Sequence, residues 1–433
     1  MLFNAASFVG TFIVKAGFGF AFWWIAARQF SPQNVGFASA AISAMTLLGT
    51  FCMLGLGTLL IRELPRQPGK AVSLISSSLI LVGIVGLGIG LLFALAIPFF
   101  SHDLQALRAS PQAVLLFALG ISFTAIGMVL DQALFGFLRG DLQLWRNTLF
   151  AGAKLAALAI AGFLLAQRAG LTIYTTWLIG DALSSATLAA YAVFKGKWNG
   201  RIPRPQLGLL RELGPSAIQH HLLNLLMMGP NMALPVLVTV LISTTMNAWF
   251  YIAFLLADIV YVIPQALVTA LYAVSSAQPE VLARKARLTL SLALITCLLA
   301  NCVIFFGSKL LLGLFGPGYV VQGVWCMRIL GLAAIPFFIK DHYISICRIQ
   351  DRIAQALLPL TAGALLELAA STLGARLGGI TGLSLGWLLA VCIEALFMSR
   401  RVYKTIRPTS INQQEVQEIS YQHQMHENVP NYS

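Results

Sequence analysis

Apolar segments long enough to cross a membrane fill almost the whole chain, and short polar connectors separate them. A bilayer-spanning helix needs about 20 mostly apolar residues. In the hydrocarbon layer the backbone must also satisfy its own hydrogen bonds, which favours helices. We therefore predict an all-α integral membrane protein with about twelve transmembrane helices. They cover residues 5–27, 35–60, 71–99, 111–137, 145–167, 171–194, 214–241, 246–275, 287–307, 321–344, 353–375 and 378–399.

The composition excludes a water-soluble fold. Hydrophobic residues make up 58% of the chain and charged residues only 10%, whereas a soluble domain carries about 25% charged residues. The six cysteines lie in or beside apolar segments without the spacing of a zinc site or a disulfide framework, so we expect buried thiols and no bound metal. No phosphate-binding loop and no nucleophile–base pair emerges, so neither an enzyme nor a cofactor is predicted.

The basic residues lie mainly in alternate connectors and therefore predict the topology. With the N-terminus inside, the odd connectors hold five Lys or Arg residues, whereas the even connectors and the C-terminal flank hold nineteen. Because short cytoplasmic loops are enriched in Lys and Arg, both termini are expected in the cytoplasm. The formal net charge of +13 is thus a topology signal, and no nucleic-acid partner is predicted.

A basic bridge near the middle of the chain divides it into two halves. We predict an N-terminal six-helix bundle over residues 1–194, a cytoplasmic linker over 195–213 and a C-terminal six-helix bundle over 214–400. Residues 401–433 turn polar, so a disordered cytoplasmic tail is expected there.

A weak internal repeat relates the two halves. With an offset of 212, the polar turn at residues 31–38 falls on residues 243–250. Asp131 and Arg139 near the end of the fourth span match Asp341 and Arg348 near the end of the tenth, with an offset close to 210. Six spans separate equivalent points, so the halves have the same orientation. This predicts a parallel repeat with a cleft between the bundles near the membrane midplane.

Short motifs at the span ends resemble those of a transporter family. They are residues 28–36 (RQFSPQNVG), 55–57 (GLG) with 62–65 (RELP), 137–141 (FLRGD) and 312–319 (LGLFGPGY). In their order and twelve-span frame they resemble the polysaccharide-transporter branch of the multidrug/oligosaccharidyl-lipid/polysaccharide (MOP) exporter superfamily, the O-antigen and exopolysaccharide flippases. The resemblance covers about residues 1–405.

The resemblance implies two bundles arranged as a V around a central cavity, lined chiefly by spans one, two, seven and eight. It implies alternating access that carries undecaprenyl-pyrophosphate-linked oligosaccharide across a bacterial inner membrane, for O-antigen, capsule or exopolysaccharide biosynthesis. The implied partners are this cargo, membrane lipid, a polysaccharide polymerase and a chain-length regulator. Coupling to H⁺ or to Na⁺ is left open.

Two other functions are weighed against this one. A cation-coupled multidrug exporter belongs to the same superfamily, but many such exporters carry an acid in the first helix where this chain has Lys15, which favours an anionic cargo. Lipid II flippases have two extra C-terminal spans and an arginine-rich first helix, which this chain lacks. A multispan polymerase or glycosyltransferase is disfavoured because the outward connectors are short.

Lys15 and Asp258 are the strongest candidates for cavity residues. Each lies near the middle of a predicted span, where an ionised side chain costs roughly 2.5–3.5 kcal/mol unless it faces water or a partner. We expect Lys15 to bind pyrophosphate or an acidic sugar. Asp258 would hold Lys15 when cargo is absent, or couple a cation. The alternative is a permanent Lys15–Asp258 bridge that joins the two halves.

Span seven and span eight supply uncharged candidates. His220 and His221 precede Pro230 and Pro235, which are expected to bend or break the seventh span. One histidine would sense protons in the cavity, and a packed pair is the alternative. Hydrogen bonds to sugar hydroxyls are expected from Asn224 and Asn231. Tyr261, in a stripe with Tyr251 and Tyr272, would stack on sugar rings, with packing as the alternative.

The remaining charged candidates are expected to form ion pairs or gate latches. At the cytoplasmic rim these are Arg139 with Asp141, and Arg348 with Asp351. Lys154 and Glu367 nearly correspond in the repeat, and for them pairing within each bundle is expected.

Overall fold

The computed structural model describes residues 2–164, 169–195 and 215–407, and these ranges form α-helices and short 3-10 turns without a strand. The structure does not describe residues 196–214 and 408–433. Most of the predicted linker (195–213) and of the predicted tail (401–433) therefore lies outside the described residues. The helices in chain order are α1 (Leu2–Gln29), α2 (Pro32–Cys52), α3 (Leu56–Glu63), α4 (Ala71–Ala96), α5 (Pro111–Gly136), α6 (Gly140–Leu164), α7 (Gly170–Phe194), α8 (Pro215–Leu241), α9 (Thr244–Ala257), α10 (Ile259–Ala277), α11 (Leu282–Gly313), α12 (Pro317–Leu332), α13 (Ala334–Ile349) and α14 (Ile353–Ile406).

The helices account for the twelve predicted spans. Within the described residues, ten segments are long and apolar enough to cross a membrane. One of them, α14, contributes two spans because its backbone leaves helical geometry at Gly378 and Gly379, where φ is −148° and 60°. The 28-residue α1 supplies the remaining span. The predicted all-helical frame is confirmed.

Several predicted spans differ in detail. The second divides into α2 and α3 at Leu54 and Gly55, which have φ of 49° and 79°. The eighth divides at Asp258, and the tenth at Ala333. The seventh span was expected to bend or break, and it does not break: α8 is one continuous helix, because each proline removes a single backbone donor and α2 and α14 pack along it. The last helix continues beyond the predicted boundary at residue 400 to Ile406.

Helix caps at equivalent positions confirm the parallel repeat. The side chain of Ser31 accepts a hydrogen bond from the backbone N–H of Asn34, and that of Ser243 accepts one from Met246. Both serines therefore begin a helix as N-caps, at the offset of 212 that the sequence predicted.

The ends of α5 and α13 repeat each other as well. Leu138 and Asp351, 213 residues apart, both adopt a left-handed conformation with φ of 56° and 53°. The following N–H groups, of Arg139 and Arg352, donate to carbonyls five residues back at 2.9 and 2.8 Å. This bond closes a helix C-terminus in the Schellman motif, a position usually given to glycine.

The two arms of α14 approach each other closely through glycines. A Cβ added to Gly374 would overlap the carbonyl of Gly382, and one added to Gly386 would overlap the carbonyl of Ala370. Backbones come this near in membrane helices where small residues line the contact. The arms therefore form a tight helical hairpin.

We predict that Gly374→Ala destabilises this hairpin, because the arms must separate to admit a methyl group. The cost should be about 1–3 kcal/mol, the usual range for overpacking, seen as a lower thermal unfolding temperature of the purified protein. Gly88→Ala on α4 is the matched control, because nothing lies within 4 Å of its added Cβ. Equal thermal stability of the two variants would contradict the close packing.

Candidate functional site

The two halves meet tightly at the end of the bundle where α1 ends and α2 begins. The buried Asn247 of α9 donates from Nδ2 to the carbonyl of Gly36 at 2.8 Å and to the hydroxyl of Ser39 at 3.0 Å. A Cβ on Gly36 would overlap the carbonyl of Thr244. The α2–α9 contact therefore depends on glycine and on uncharged hydrogen bonds.

Loops and helix ends reinforce the same end of the bundle. The carboxylate of Asp103, in the α4–α5 connection, accepts from the backbone N–H of Thr244 at 2.7 Å. The carbonyl of Leu314, between α11 and α12, accepts from Trp24 Nε1 at 3.0 Å and from Arg28 Nε at 2.9 Å. We call the contacts made by Arg28, Gly36, Asp103, Asn247 and Leu314 the closed end.

Lys15 and Asp258 lie at the same depth below the closed end. The rings of Trp23 on α1 and Tyr251 on α9 are in contact, with centroids 4.6 Å apart. Counted from that contact, Lys15 lies eight residues back along α1 and Asp258 seven residues on, which is about 12 and about 11 Å of helix. The Lys15 side chain is 48% exposed, and Asp258 is exposed too.

Below the closed end, α1 and α10 do not pack extensively against each other within the described residues, whereas α2 stays packed along α8. Lys15 lies on one of these two helices and Asp258 at the start of the other, and both side chains are exposed. We call the space between α1 and α10 the central cleft.

The structure does not form the predicted Lys15–Asp258 bridge. Lys15 instead approaches Asp131 of α5, with 3.9 Å between Nζ and Oδ2. The reason is helical phase. Lys15 shares a face with Phe22, seven residues on, which packs into the first half against Trp177. Lys15 is thereby directed toward its own bundle.

Behind Lys15 lies a buried charge network in the first half. Arg146 of α6 binds Asp131 at 2.6 Å and lies 3.7 Å from Asp181 of α7. Asp181 also accepts from the Thr124 hydroxyl at 3.1 Å. Arg146 was counted among the nineteen basic residues of the even connectors, but it lies within α6 and its side chain is 3% exposed. Arg146 therefore supplies the closest cation for both carboxylates inside the bundle.

Lys154 is buried in the same half against aromatic rings. Its Nζ lies 3.3 Å from the ring centroid of Trp177, 4.5 Å from that of Phe150 and 5.2 Å from that of Phe22. An ammonium over a desolvated aromatic face gains about 2 kcal/mol or more. The ion-pair partner that the sequence predicted within the bundle is replaced by these rings, because the nearest carboxylates are engaged by Arg146.

The second half has its own buried charge cluster, at positions related by the repeat. Lys340 of α13 contacts Glu367 at 2.5 Å and Glu394 at 2.8 Å, on the two arms of α14. Glu367 corresponds to Lys154 and Glu394 to Asp181, each with an offset of 213. The geometry agrees with the predicted pairing of Glu367 within its own bundle.

The uncharged candidates of the second half occupy varied positions. Asn224 accepts from Arg348 Nη2 at 2.6 Å, so its carbonyl oxygen is engaged by its own bundle rather than left for a sugar. Tyr261 is buried against Phe337 and donates its hydroxyl to the carbonyl of Leu330 at 2.8 Å. The ring of Tyr261 therefore lies in the core, in agreement with the packing alternative rather than with stacking on a sugar.

His220, His221 and Asn231 are half-buried on α8. His221 hydrogen-bonds the backbone of Phe51 on α2, which places it at the seam between the halves. Its Nε2 and the Oδ1 of Asn231 have no hydrogen-bond partner. These two atoms therefore remain candidates for hydrogen bonding to a bound substrate.

Of the two rim pairs predicted, one forms. Arg139 binds Asp141 through two hydrogen bonds of 2.8 and 2.7 Å, and this contact raises the pKa of the Arg139 guanidinium above its ordinary value. Arg348 turns to Asn224, while Asp351 occupies the left-handed position that ends α13.

Comparison with known proteins gives the family. The model for the polysaccharide biosynthesis protein family matches residues 2–228, more than half of the chain. The chain belongs to this family. Among curated proteins, none matches it.

Solved structures share the fold of this family member. A multidrug resistance MATE family transporter of the MOP superfamily, in its inward-facing conformation, has a TM-score of 0.70 at 15% identity, over 90% of this chain and 95% of that one. The outward-facing conformation of such a transporter gives 0.59 at 14% identity, over 92% and 94%. The polysaccharide biosynthesis family member is thus a multi-pass membrane protein with a MOP-superfamily transporter fold.

Arg146 should matter far more for stability than Lys15. Arg146→Gln removes the closest cation from the buried Asp181 and from the partly exposed Asp131, and breaking such a cluster costs about 3–5 kcal/mol. Lys15→Gln removes a long contact of a half-exposed side chain and should cost no more than about 1 kcal/mol. Thermal unfolding of both purified variants tests this. A greater loss in Lys15→Gln would contradict the assignment of Arg146 as the central cation.

Proposed function

We propose that this protein translocates lipid-linked oligosaccharides across the bacterial inner membrane by alternating access. The observation that carries the proposal is Lys15, an exposed ammonium at mid-depth in the central cleft, 3.9 Å from its counter-ion. At that distance the ammonium is available to a pyrophosphate or acidic sugar. The polysaccharide biosynthesis family supports a saccharide cargo, and undecaprenyl pyrophosphate is the lipid carrier we propose.

Asp131 gives the cargo-free state a resting partner for Lys15. An anionic head group that enters the cleft competes with Asp131 for the ammonium, and Asp131 remains compensated by Arg146 at 2.6 Å. Lys15 is thus able to exchange partners without leaving a buried charge unpaired. Asp258 on the opposite side repels an anion, which orients the head group toward the first half.

We further propose that the closed end faces the outside and that this conformation is open to the cytoplasm. The excess of basic connectors places both termini inside, so that the turn between α1 and α2 is outside. The higher TM-score with the inward-facing MATE conformation, 0.70 against 0.59, supports this orientation.

A cation-coupled multidrug exporter is the second candidate. The exposed carboxylate of Asp258 in the cleft favours it, since an organic cation would bind there. Two transport assays in the same reconstituted vesicles distinguish the two functions. One measures translocation of the oligosaccharide, and the other measures translocation of a fluorescent lipophilic cation. We favour the saccharide because the carboxylate is matched by an ammonium at the same depth.

Lys15→Gln should slow translocation of a fluorescent undecaprenyl-pyrophosphate-linked oligosaccharide in reconstituted vesicles. Losing a charge-assisted hydrogen bond of about 1.5–3 kcal/mol predicts a roughly 10- to 100-fold decrease. Lys15→Arg keeps the cation and should retain most of the rate. Lys309→Gln, an exposed basic residue on α11, is the control and should match the wild type. A wild-type rate in Lys15→Gln would remove Lys15 from the binding site.

Locking the closed end should stop transport. In the double variant S39C/N247C, oxidation should join α2 to α9 where the native side chains are 3.0 Å apart. We expect translocation to fall to background on oxidation and to return on reduction, while each single variant stays active. Continued translocation by the fully cross-linked protein would show that this end does not open.

A further inference from the structure

Lys340, Glu367 and Glu394 form a buried triad that the transport site does not use. The Lys340 side chain is fully buried, and those of Glu367 and Glu394 are 1% and 4% exposed. One ammonium faces two carboxylates, so the triad carries a net charge of −1 when all three groups are ionised. An uncompensated charge removed from water costs several kcal/mol.

The surrounding groups do not supply the missing positive charge. Titratable residues on the elements packed around the triad are Asp341 and His342 on α13, Tyr261 on α10, Cys297 on α11, Cys326 on α12, and His220 and His221 on α8. His342 contacts the Thr289 hydroxyl and the Phe338 carbonyl. Asp341 is itself acidic and has an unpartnered oxygen, Oδ1. Arg348 lies with Asn224, and Arg328 with Ser308.

We propose that the triad is a proton-binding site and that Glu394 carries the proton. With one proton added, the triad is neutral: an ammonium, one carboxylate and one carboxylic acid. The O–H bond forms on Glu394 as a hydronium ion gives up a proton, and deprotonation returns that proton to water. Lys340 stays an ammonium throughout.

The hydrogen bonds identify which carboxylate stays ionised. Glu367 accepts from Lys340 at Oε1 and from the indole Nε1 of Trp387 at Oε2, at 2.5 and 2.6 Å. Two donors stabilise its anionic form. Glu394 contacts the shared ammonium and the carboxyl group of Glu367, and its carboxylate otherwise packs against Gly363, where no side chain donates. The proton therefore resides on Glu394.

A proton fits this site better than a metal cation. The Lys340 ammonium already occupies the space between the carboxylates that a sodium ion would need. Within the described residues, no group of three His, Cys, Asp or Glu side chains is arranged to hold a metal ion. The ammonium thus replaces the metal, and charge balance is completed by H⁺.

The position of the triad links protonation to helix packing. Lys340 on α13 connects both arms of α14, so loss of the proton strengthens the pull of Glu394 on Lys340 and shifts α13 against the hairpin. This role in the cycle rests on the proposed transport function and names H⁺ as the coupling ion. Proton binding itself is measured without cargo.

Infrared difference spectroscopy of the purified, full-length protein in lipid tests the site directly. Between about pH 5 and about pH 9, where exposed glutamates are already ionised, the wild type should lose a C=O stretching band of a protonated carboxylic acid. E394Q should lack this pH-dependent band, and D341N, the matched control next to Lys340, should keep it. E394Q mimics the protonated state and is expected to fold with wild-type thermal stability.

Two results would overturn the assignment. The first is a wild type without a titrating band, which would make the triad a permanent ion cluster. The second is a band that persists in E394Q or disappears in D341N, which would place the proton elsewhere.

In vesicles, translocation by E394Q should be insensitive to an imposed pH gradient that stimulates the wild type. Absence of translocation by any variant would count against the transport function alone, because the infrared result is independent of cargo.

Discussion

Compensation of charge inside each half is the constraint on which the rest of this structure depends. A lone ionised side chain at mid-bilayer costs roughly 2.5–3.5 kcal/mol, and this chain places several there. These charged side chains point into their own half of the bundle. Arg146 binds Asp131 and lies close to Asp181, Lys154 packs on Trp177, and Lys340 binds two glutamates. Each half thereby becomes a unit whose internal charges do not depend on the other half.

The contacts within each half, which must stay fixed, therefore differ in kind from the contacts between the halves, which must open. Ion pairs hold helices together within a half, whereas the buried part of the closed end consists of uncharged bonds from Asn247 to Gly36 and Ser39. The two closed-end bonds that involve charged side chains, those of Arg28 and Asp103, are made by exposed residues. A neutral hydrogen bond contributes only about 0.5–1.5 kcal/mol, because water replaces it when it breaks. The closed end is therefore able to open without exposing an unpaired buried charge. Lys15 is the exception, since it lies between a buried network and the central cleft.

Local sequence patterns predict most of the fold. Apolar length determines the spans, connector charge predicts the topology, and the N-cap serines and the ends of α5 and α13 show the repeat in backbone detail. The errors arise where tertiary contacts override local preference. Two prolines in α8 look like breaks, but packing on both sides keeps that helix continuous. The break at Leu54 and Gly55 falls at the GLG motif of residues 55–57, but with 37 glycines in the chain such a motif alone does not predict a break.

The site could be predicted only in part, because partner choice depends on helical phase and on neighbours distant in the chain. Lys15 and Asp258 stand out as charges at mid-span, yet which carboxylate Lys15 meets is decided by how α1 packs on α6. Arg146 lies near a span boundary and looks like a loop residue. The repeat offset of 213, applied to Asp181, points to Glu394, but only the structure brings Lys340 between the two glutamates.

The most direct test of the account is the sidedness of lipid-linked oligosaccharide in cells depleted of this protein. We predict that undecaprenyl-pyrophosphate-linked oligosaccharide accumulates in the cytoplasmic leaflet, with loss of surface polysaccharide, and that the wild-type protein restores both. A normal distribution between leaflets, in depleted cells that have no second flippase, would contradict the central claim and favour the multidrug exporter.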